Sequence, residues 1–149
     1  MKITIESIIH ATEDDKKIVD SISKFLYVET NEFYKQNLNG HFNNPIILLR
    51  AKISGDRVNR ILSKILSNIS KFEIENMMNN LKNKINGSSL YLRLGKQELI
   101  NGVITMKEKN SVKIIINDSH YKKNTEKSFR SKINELINKN MIKNQVTQE

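Results

Sequence analysis

The sequence predicts an α+β fold, namely a two-layer sandwich in which helices pack on one face of a mixed or antiparallel β-sheet. Several short segments alternate apolar and polar residues, and several longer ones repeat apolar residues at helical spacing. The helical segments come in groups beside adjacent strands instead of alternating with them one for one, which favours this architecture over a parallel sheet. The 149 residues suit one domain spanning residues 1–149, of which we expect the last eight or so to fray.

The chain opens with a predicted strand and a predicted helix. Apolar and polar side chains alternate over residues 2–10, which predicts a strand. Thr12 is a suitable N-cap residue, and Asp15 follows it at the spacing of a capping box, so we expect a helix over residues 13–26. The apolar side of that helix is expected to contain Ile18, Ile22, Phe25 and Leu26.

The segment that follows is less regular until a second clear strand begins. Residues 27–29 and 33–36 each have the composition of a short strand, and residues 37–44 are rich in asparagine, which indicates a loop with turns. Residues 46–53 then form an apolar run with basic residues at alternate positions, which predicts a strand.

Two helical segments come next. A stripe of apolar residues at helical spacing ends near residue 70 and consists of Val58, Ile61, Leu62, Ile65, Leu66 and Ile69. Residues 74–85 repeat the pattern, and Gly87 lies where a glycine commonly follows the end of a helix.

The last third of the chain is predicted to hold strands and one more helix. Residues 90–94 alternate leucines with polar residues, and residues 95–100 form a turn or a short helical piece. Residues 103–106 and 112–116 have the pattern of a β-hairpin. Thr125 is a suitable cap for a final helix, whose apolar stripe is Phe129, Ile133, Leu136 and Ile137.

Positive charge is the main functional signal in the sequence. The formal net charge is +9, and the charge is unevenly distributed along the chain. Residues 1–75 hold 11 basic and 10 acidic side chains, whereas residues 76–149 hold 14 and 6. Such an asymmetry points to a polyanionic partner, namely RNA, DNA or an anionic membrane surface, among which a nucleic acid is favoured. The alternative is a solvated basic surface that serves only solubility.

The composition also bears on location. The chain has no cysteine, which excludes disulfides and thiolate metal sites. The N-terminal residues lack the basic and apolar regions of a signal peptide, and no apolar run approaches the ~20 residues that a membrane span needs. We therefore expect a cytoplasmic protein that does not bind a membrane.

Basic residues on two predicted strands form the first candidate RNA-binding site. The candidate residues are Arg50, Lys52, Tyr91, Arg93 and Lys96. If the two strands are neighbours, the four basic side chains form a strip beside the tyrosine. The basic side chains can then contact phosphates, and the tyrosine ring can stack on a base. The alternative is a solvated sheet face whose charges pair across strands with Glu98 or Glu108.

Two further regions are candidates for RNA contact. The loop residues His41 and Phe42 can present an aromatic ring to an unpaired base, or the ring can simply fix the loop to the core. Lys123, Lys127 and Arg130 share one side of the last helix by their spacing and can follow a phosphate backbone. The alternative for this second region is a solvated side of an amphipathic helix.

No catalytic site, metal site or cofactor is predicted. His10, Glu13, Asp14 and Asp15 lie where a strand ends and a helix starts, and helix capping accounts for these acids without a metal. The three histidines, at positions 10, 41 and 120, are far apart. The sequence contains neither a glycine-rich phosphate loop nor a nucleophile elbow. We therefore expect a protein that is not an enzyme.

Three local motifs together resemble those of a known family. They are His10–Asp14 at the end of the first strand, Gly40–Ile46 before the second, and Leu90–Gln97 followed by Gly102. Their order and spacing resemble an archaeal family described as predicted exosome subunits or RNA-binding proteins of uncharacterised function. The resemblance extends from residue 2 to about residue 137.

The resemblance implies a fold similar to that of the ribosomal large-subunit protein that contacts 5S ribosomal RNA. It also implies a non-catalytic RNA-binding protein, an accessory factor of exosome-linked RNA processing, with exosome-associated or ribosome-associated proteins as partners. A homodimer is compatible with the sequence. The alternative is a protein-interaction module that docks on an RNA-processing or ribosomal complex without contacting RNA.

Two positions depart from the pattern of that family. Asn43 stands where a glycine is usual, and asparagine also tolerates a left-handed backbone. Gly95 stands where an aspartate is usual, which removes a carboxylate from the turn before Lys96.

Overall fold

The computed structural model describes residues 1–119 and 124–147, which form six strands and five α-helices. The strands are β1 (Lys2–His10), β2 (Tyr34–Asn39), β3 (Pro45–Ser54), β4 (Ile85–Asn86), β5 (Ser89–Gly95) and β6 (Ser111–Asn117). The helices are α1 (Asp15–Leu26), α2 (Arg57–Asn68), α3 (Lys71–Asn79), α4 (Lys96–Ile100) and α5 (Thr125–Thr147). Short 3-10 turns occur at Thr30–Glu32, His41–Asn43 and Leu81–Lys84.

All six strands belong to one sheet, in the order β2-β3-β1-β6-β5-β4. Every pair of neighbouring strands is antiparallel. β1 lies inside the sheet and pairs with β3 along its whole length and with β6 over residues 2–6. The prediction of an α+β fold with a mixed or antiparallel sheet is confirmed, and the described sheet is antiparallel.

The core lies between one face of the sheet and the helices. Alternate strand residues are buried, because successive side chains of a strand point to opposite faces. The buried strand residues include Ile3, Ile5, Ile9, Leu49, Ala51, Ile53, Leu90, Leu92, Leu94, Val112, Ile114 and Ile116. The helices contribute Ile18, Ile22, Leu26, Val58, Ile61, Ile65, Phe129, Ile133 and Leu136. The residues between the buried ones leave the other sheet face accessible to solvent.

The first helix begins later than its sequence pattern predicts. Asp14, and not Thr12, is the N-cap, because its carboxylate accepts hydrogen bonds from the backbone N–H groups of Lys16 (3.0 Å) and Lys17 (3.4 Å). At the other end, Tyr27 has left-handed backbone angles and terminates α1, so residues 27–29 do not form a strand. The second strand-like segment does become β2.

The turn before β2 is joined to α2 by a bidentate ion pair. The two guanidinium nitrogens of Arg57 each donate to one carboxylate oxygen of Glu32 at 2.6 Å. These hydrogen bonds, with one from the backbone N–H of Glu29, lower the pKa of Glu32 to about 2. The pair fixes the chain where it leaves the helical layer and enters the edge strand.

The predicted hairpin between residues 103–106 and 112–116 is wrong. The second segment is β6, but Met106 forms only an isolated bridge to Leu94 on the edge of β5 that faces away from β6. The reason is a tertiary contact. The carboxylate of Glu73 in α3 accepts hydrogen bonds from the backbone N–H of Met106 (2.6 Å) and the hydroxyl of Thr105 (2.9 Å).

Replacing Glu73 with alanine should destabilise the fold by about 2 kcal/mol, because it removes charge-assisted hydrogen bonds to a partly buried segment. Burial acts to raise the pKa of Glu73, but hydrogen bonds from Met106, Ser70 and Thr105 lower it below its ordinary value. The contribution of ionised Glu73 to the free energy of unfolding should therefore be complete above pH 4.5 and disappear as the pH falls further. Urea unfolding at several pH values measures both effects.

The matched control is Glu75→Ala, which removes an exposed glutamate from the same helix. We expect that variant to change stability by less than about 0.5 kcal/mol. Equal losses in the two variants would contradict the role assigned to Glu73.

Candidate nucleic-acid interface

The solvent-accessible face of the sheet, here called the open face, collects side chains from five strands into rows. One row contains, in strand order, Tyr34, Arg50, Glu6, Lys113 and Arg93. The next contains Lys52, Thr4, Ile115 and Tyr91. A third contains Ser54, Lys2, Asn117 and Ser89. With neighbouring strands ~4.8 Å apart, the five-residue row is about 19 Å long.

The open face is strongly positive. It has five cations (Lys2, Arg50, Lys52, Arg93 and Lys113) and one carboxylate, that of Glu6, which gives the three rows a charge of +4. Glu6 is engaged by Arg50, whose Nη2 lies 2.9 Å from the carboxylate and whose Nε donates at 3.0 Å. Within residues 1–119 and 124–147, no carboxylate lies within ion-pair distance of the ammonium groups of Lys2, Lys52 and Lys113.

The candidate strip predicted from the sequence has a different composition in the structure. The strands of Arg50 and Arg93 are not neighbours, because β1 and β6 lie between them. Arg50, Lys52, Tyr91 and Arg93 nevertheless share the open face. The intervening strand β6 contributes Lys113, which the sequence prediction missed. Its alternation with buried Val112 and Ile114 is the signal that identifies it.

Lys96 does not belong to the open face, and its predicted place in an exposed strip is wrong. Its side chain is only 3% exposed. The ammonium group donates to the carbonyl oxygen of Ile8 at 2.7 Å and to the carboxylate of Glu13 at 2.9 Å. Lys96 therefore joins the start of α4 to the end of β1, which is a structural role.

The carboxylate of Glu13 completes this buried connection. In addition to the hydrogen bond from Lys96, the carboxylate accepts one from the backbone N–H of His10 at 3.0 Å. Burial acts to raise the pKa of Glu13, but these two donors outweigh burial and hold the pKa below its ordinary value. Glu13 is thus an ionised partner of Lys96, in agreement with the structural interpretation of the acids at this turn.

Tyr91 and Arg93 border a depression at the far edge of the open face. The depression has a volume of about 640 Å³ and is also lined by Asn76 of α3 and by Asn80, which directly follows that helix. Glu108 lies at its rim, with its carboxylate 3.7 Å from Nε of Arg93 and 3.4 Å from the ammonium group of Lys84. Arg93 thus pairs with Glu108, one of the two acids considered for it, but Glu108 lies in the loop before β6 and not on a strand, and the pair reduces the charge available at this edge.

Phe42 is not fixed to the core. Its side chain is 86% exposed, and its backbone is left-handed with φ of 59°. The ring is therefore exposed, and the alternative in which it fixes the loop to the core is wrong. His41 precedes it in the same turn, and the side chain of His41 lies outside the described part of the structure.

The sequence model of a family described as RNA binding matches residues 2–118 of the chain. The chain belongs to this RNA-binding family. It is 27% identical to an RNA-binding protein of Pyrococcus abyssi over 116 residues, which are 74% of the chain and 75% of the relative. It is 24% identical to an uncharacterized protein of Methanocaldococcus jannaschii, over 91% of the chain and 93% of the relative.

A solved structure has the same fold. A crystal structure of a protein of Sulfolobus solfataricus superposes with a TM-score of 0.72 at 29% identity. The match covers 91% of the chain and 98% of the solved one. The region that matches the RNA-binding family contains all six strands, and hence the whole open face, whereas α5 begins after it.

Two of the basic residues predicted for the last helix, Lys127 and Arg130, do not join the open face. Lys127 is exposed on α5, and Arg130 pairs with Glu126 at 3.1 Å and donates to the carbonyl oxygen of Met78 at 3.0 Å. Arg130 thereby holds α5 to α3. Lys123 lies outside the described residues.

Over residues 1–119 and 124–147, no three side chains of the metal-binding types come together. In the same part of the chain, no helix has the length and apolar character needed to cross a membrane.

Replacing Lys96 with methionine should destabilise the protein by about 3 kcal/mol, because it leaves the partly buried carboxylate of Glu13 without its cation. Lys107→Met is the matched control, since it breaks the more exposed 2.9 Å pair with Glu98. That control should lower the free energy of unfolding by less than about 1 kcal/mol. Urea unfolding of both variants gives the comparison, and a stable Lys96 variant with impaired RNA binding would contradict the structural role.

Proposed function

We propose that the protein is a non-catalytic RNA-binding protein that holds the phosphate backbone of RNA on the open face of its sheet. The observation that carries the proposal is the position of Lys2, Lys52 and Lys113. All three lie on one face, and none has a carboxylate partner in the described part of the chain. Cations without protein partners are the groups that exchange counterions for phosphates.

The geometry of the face suits capture of a backbone. Taken together, the three rows hold cations on four adjacent strands, β3, β1, β6 and β5, so a strand of RNA that crosses the sheet meets positive charge on each of them. Such contacts set position and affinity, whereas selectivity comes from bases and shape. Tyr34, which is 65% exposed, and the half-buried Tyr91 are the aromatic groups of these rows.

Family membership supports the same function. The matched region includes every cation of the open face, and the Pyrococcus relative is named an RNA-binding protein. We carry RNA binding from that name to this chain as part of the proposal. We further propose a cytoplasmic accessory factor of exosome-linked RNA processing, because the three local motifs resemble that group of proteins.

A second candidate function is a protein-interaction module that docks on an RNA-processing or ribosomal complex without contacting RNA. The observation that favours it is the presence of exposed apolar side chains on and beside the open face, including Ile8 and Phe42. The two candidates differ in salt dependence, because binding through phosphates weakens steeply with salt and apolar docking does not.

The double variant Lys52→Gln/Lys113→Gln should bind single-stranded RNA roughly tenfold more weakly than the natural protein at about 50 mM salt. Two lost phosphate contacts should also reduce the slope of log affinity against log salt by about 1.4. Fluorescence anisotropy between about 50 and 200 mM salt measures both quantities.

The charge-matched control is Lys16→Gln/Lys17→Gln, which removes two exposed lysines from α1 in the helical layer. This control should keep nearly the natural affinity and slope. If the two double variants lose affinity equally, net charge and not the open face attracts the RNA. If the natural protein binds no RNA at the lower salt, the proposed function is wrong.

Glu108→Gln should strengthen RNA binding about threefold, because it removes the carboxylate that partly neutralises Arg93 and Lys84. Asp20→Asn is the control, since it removes one exposed acid from α1 and changes the net charge equally. The same anisotropy titration compares them. A gain of equal size in both variants would show that Glu108 has no special place beside the RNA.

A further inference from the structure

One end of the open face is apolar. Beyond the row that contains Arg50, the next row pairs Leu48 with Gln36 on one side and Ile8 on the other. The row after it pairs Ile46 with Leu38 and His10. This apolar end consists of Ile8, Leu38, Ile46 and Leu48, of which Ile8 is 48% and Leu38 37% exposed.

The apolar end departs from the pattern of the rest of the sheet. Residues 2, 4, 6 and 10 of β1 are polar on this face, and Ile8 alone interrupts them. An exposed isoleucine on a strand that otherwise alternates cleanly does not improve the core, which lies on the opposite face. A group of such side chains marks a surface that binds a partner.

Phe42 lies in the turn that joins β2 to β3, beside this end of the sheet. Its exposed ring is carried by a compact turn, in which Gly40 donates to the carbonyl oxygen of Asn44 at 2.7 Å and Asn43 donates to that of Gly40 at 3.2 Å. Such a ring is a platform on which a planar base can stack.

A groove connects the apolar end with the cations. It has a volume of about 300 Å³, and its lining includes Ile8 and Leu48 on one side and Arg93 and Lys113 on the other. The lining also includes Glu6 and Glu108, which are engaged by Arg50 and Arg93, so Lys113 is its cation without a carboxylate partner in the described part of the chain. A ligand in this groove therefore meets apolar surface and positive charge together. Among the parts of RNA, an unpaired nucleotide combines these properties, with an apolar base face and an anionic phosphate.

We infer that the protein selects unpaired RNA, whose bases contact the apolar end and Phe42 while the cationic rows hold the phosphates. The inference rests on the proposed function and adds the class of RNA. A double helix keeps its bases stacked inside and offers phosphates and 2′-hydroxyls at its surface, so it cannot cover the apolar end. A second copy of this chain would bring another face of charge +4 against the first, which opposes that occupant.

The experiment uses three fluorescently labelled RNAs of equal length. They are a single strand of mixed sequence, the same strand in a blunt duplex with its complement, and the same strand with abasic riboses at its central positions. The abasic strand keeps the phosphates and removes the bases. The protein variants are Phe42→Ala, Ile8→Thr and, as a matched control, Phe72→Ala, which removes a phenylalanine that is 76% exposed on α3.

At about 100 mM salt, the natural protein should bind the single strand roughly tenfold more tightly than the duplex or the abasic strand. Phe42→Ala and Ile8→Thr should each weaken binding of the single strand by about fivefold to tenfold and leave the other two RNAs unchanged. Phe72→Ala should change none of the three affinities. Circular dichroism and urea unfolding verify that each variant is folded, and Ile8→Thr suffices if the Phe42 variant is not.

Other outcomes overturn the inference in recognisable ways. Equal affinity for all three RNAs would leave the proposed function standing and show that bases are not contacted. Loss of a dimer in Phe42→Ala or Ile8→Thr by sedimentation, with unchanged RNA affinity, would assign the apolar end to a second copy. Absence of binding to every RNA at about 50 mM salt would instead refute the proposed function itself.

Discussion

The register of β1 with its two neighbours decides which side chains of the sheet meet water. Ile5 pairs with Ile114 in the core, and the adjacent Glu6 pairs with Arg50 and Lys113 on the open face. A slip of one residue in either pairing would move the charges into the core and the isoleucines to solvent. The packed core and the row of charges therefore depend on the same backbone hydrogen bonds.

Because the sheet interleaves distant parts of the chain, charge along the sequence does not map onto charge on the surface. Residues 76–149 carry nearly all of the net positive charge, yet Lys2, Arg50 and Lys52 of the open face come from the first half. Much of the second-half charge is engaged elsewhere, as with Lys96 and Arg130. The positive electrostatic potential is concentrated on the open face because its three rows contain no acidic residue apart from Glu6.

The local elements are predictable from the sequence, and their long-range arrangement is not. β1, β3 and α2 follow from apolar periodicity that is complete within each segment. The separation of β3 from β5 depends on strand pairing between distant residues, which periodicity does not encode. The predicted hairpin failed because Glu73 binds the backbone of Met106, and Lys96 was misplaced because its carboxylate partner lies 83 residues away. The sequence thus predicted the types of residue on the open face, but not all of the residues that share it.

Gly95 carries a constraint on how this sequence can evolve. A Cβ atom at position 95 would overlap a carboxylate oxygen of Glu98, so that carboxylate occupies the space which a side chain at position 95 needs. The aspartate that is usual there in the resembling family would add electrostatic repulsion to this steric conflict. Positions 95 and 98 are therefore coupled. An acid at position 95 is therefore accommodated only together with a movement of the side chain at position 98, which also holds the ammonium group of Lys107 at 2.9 Å.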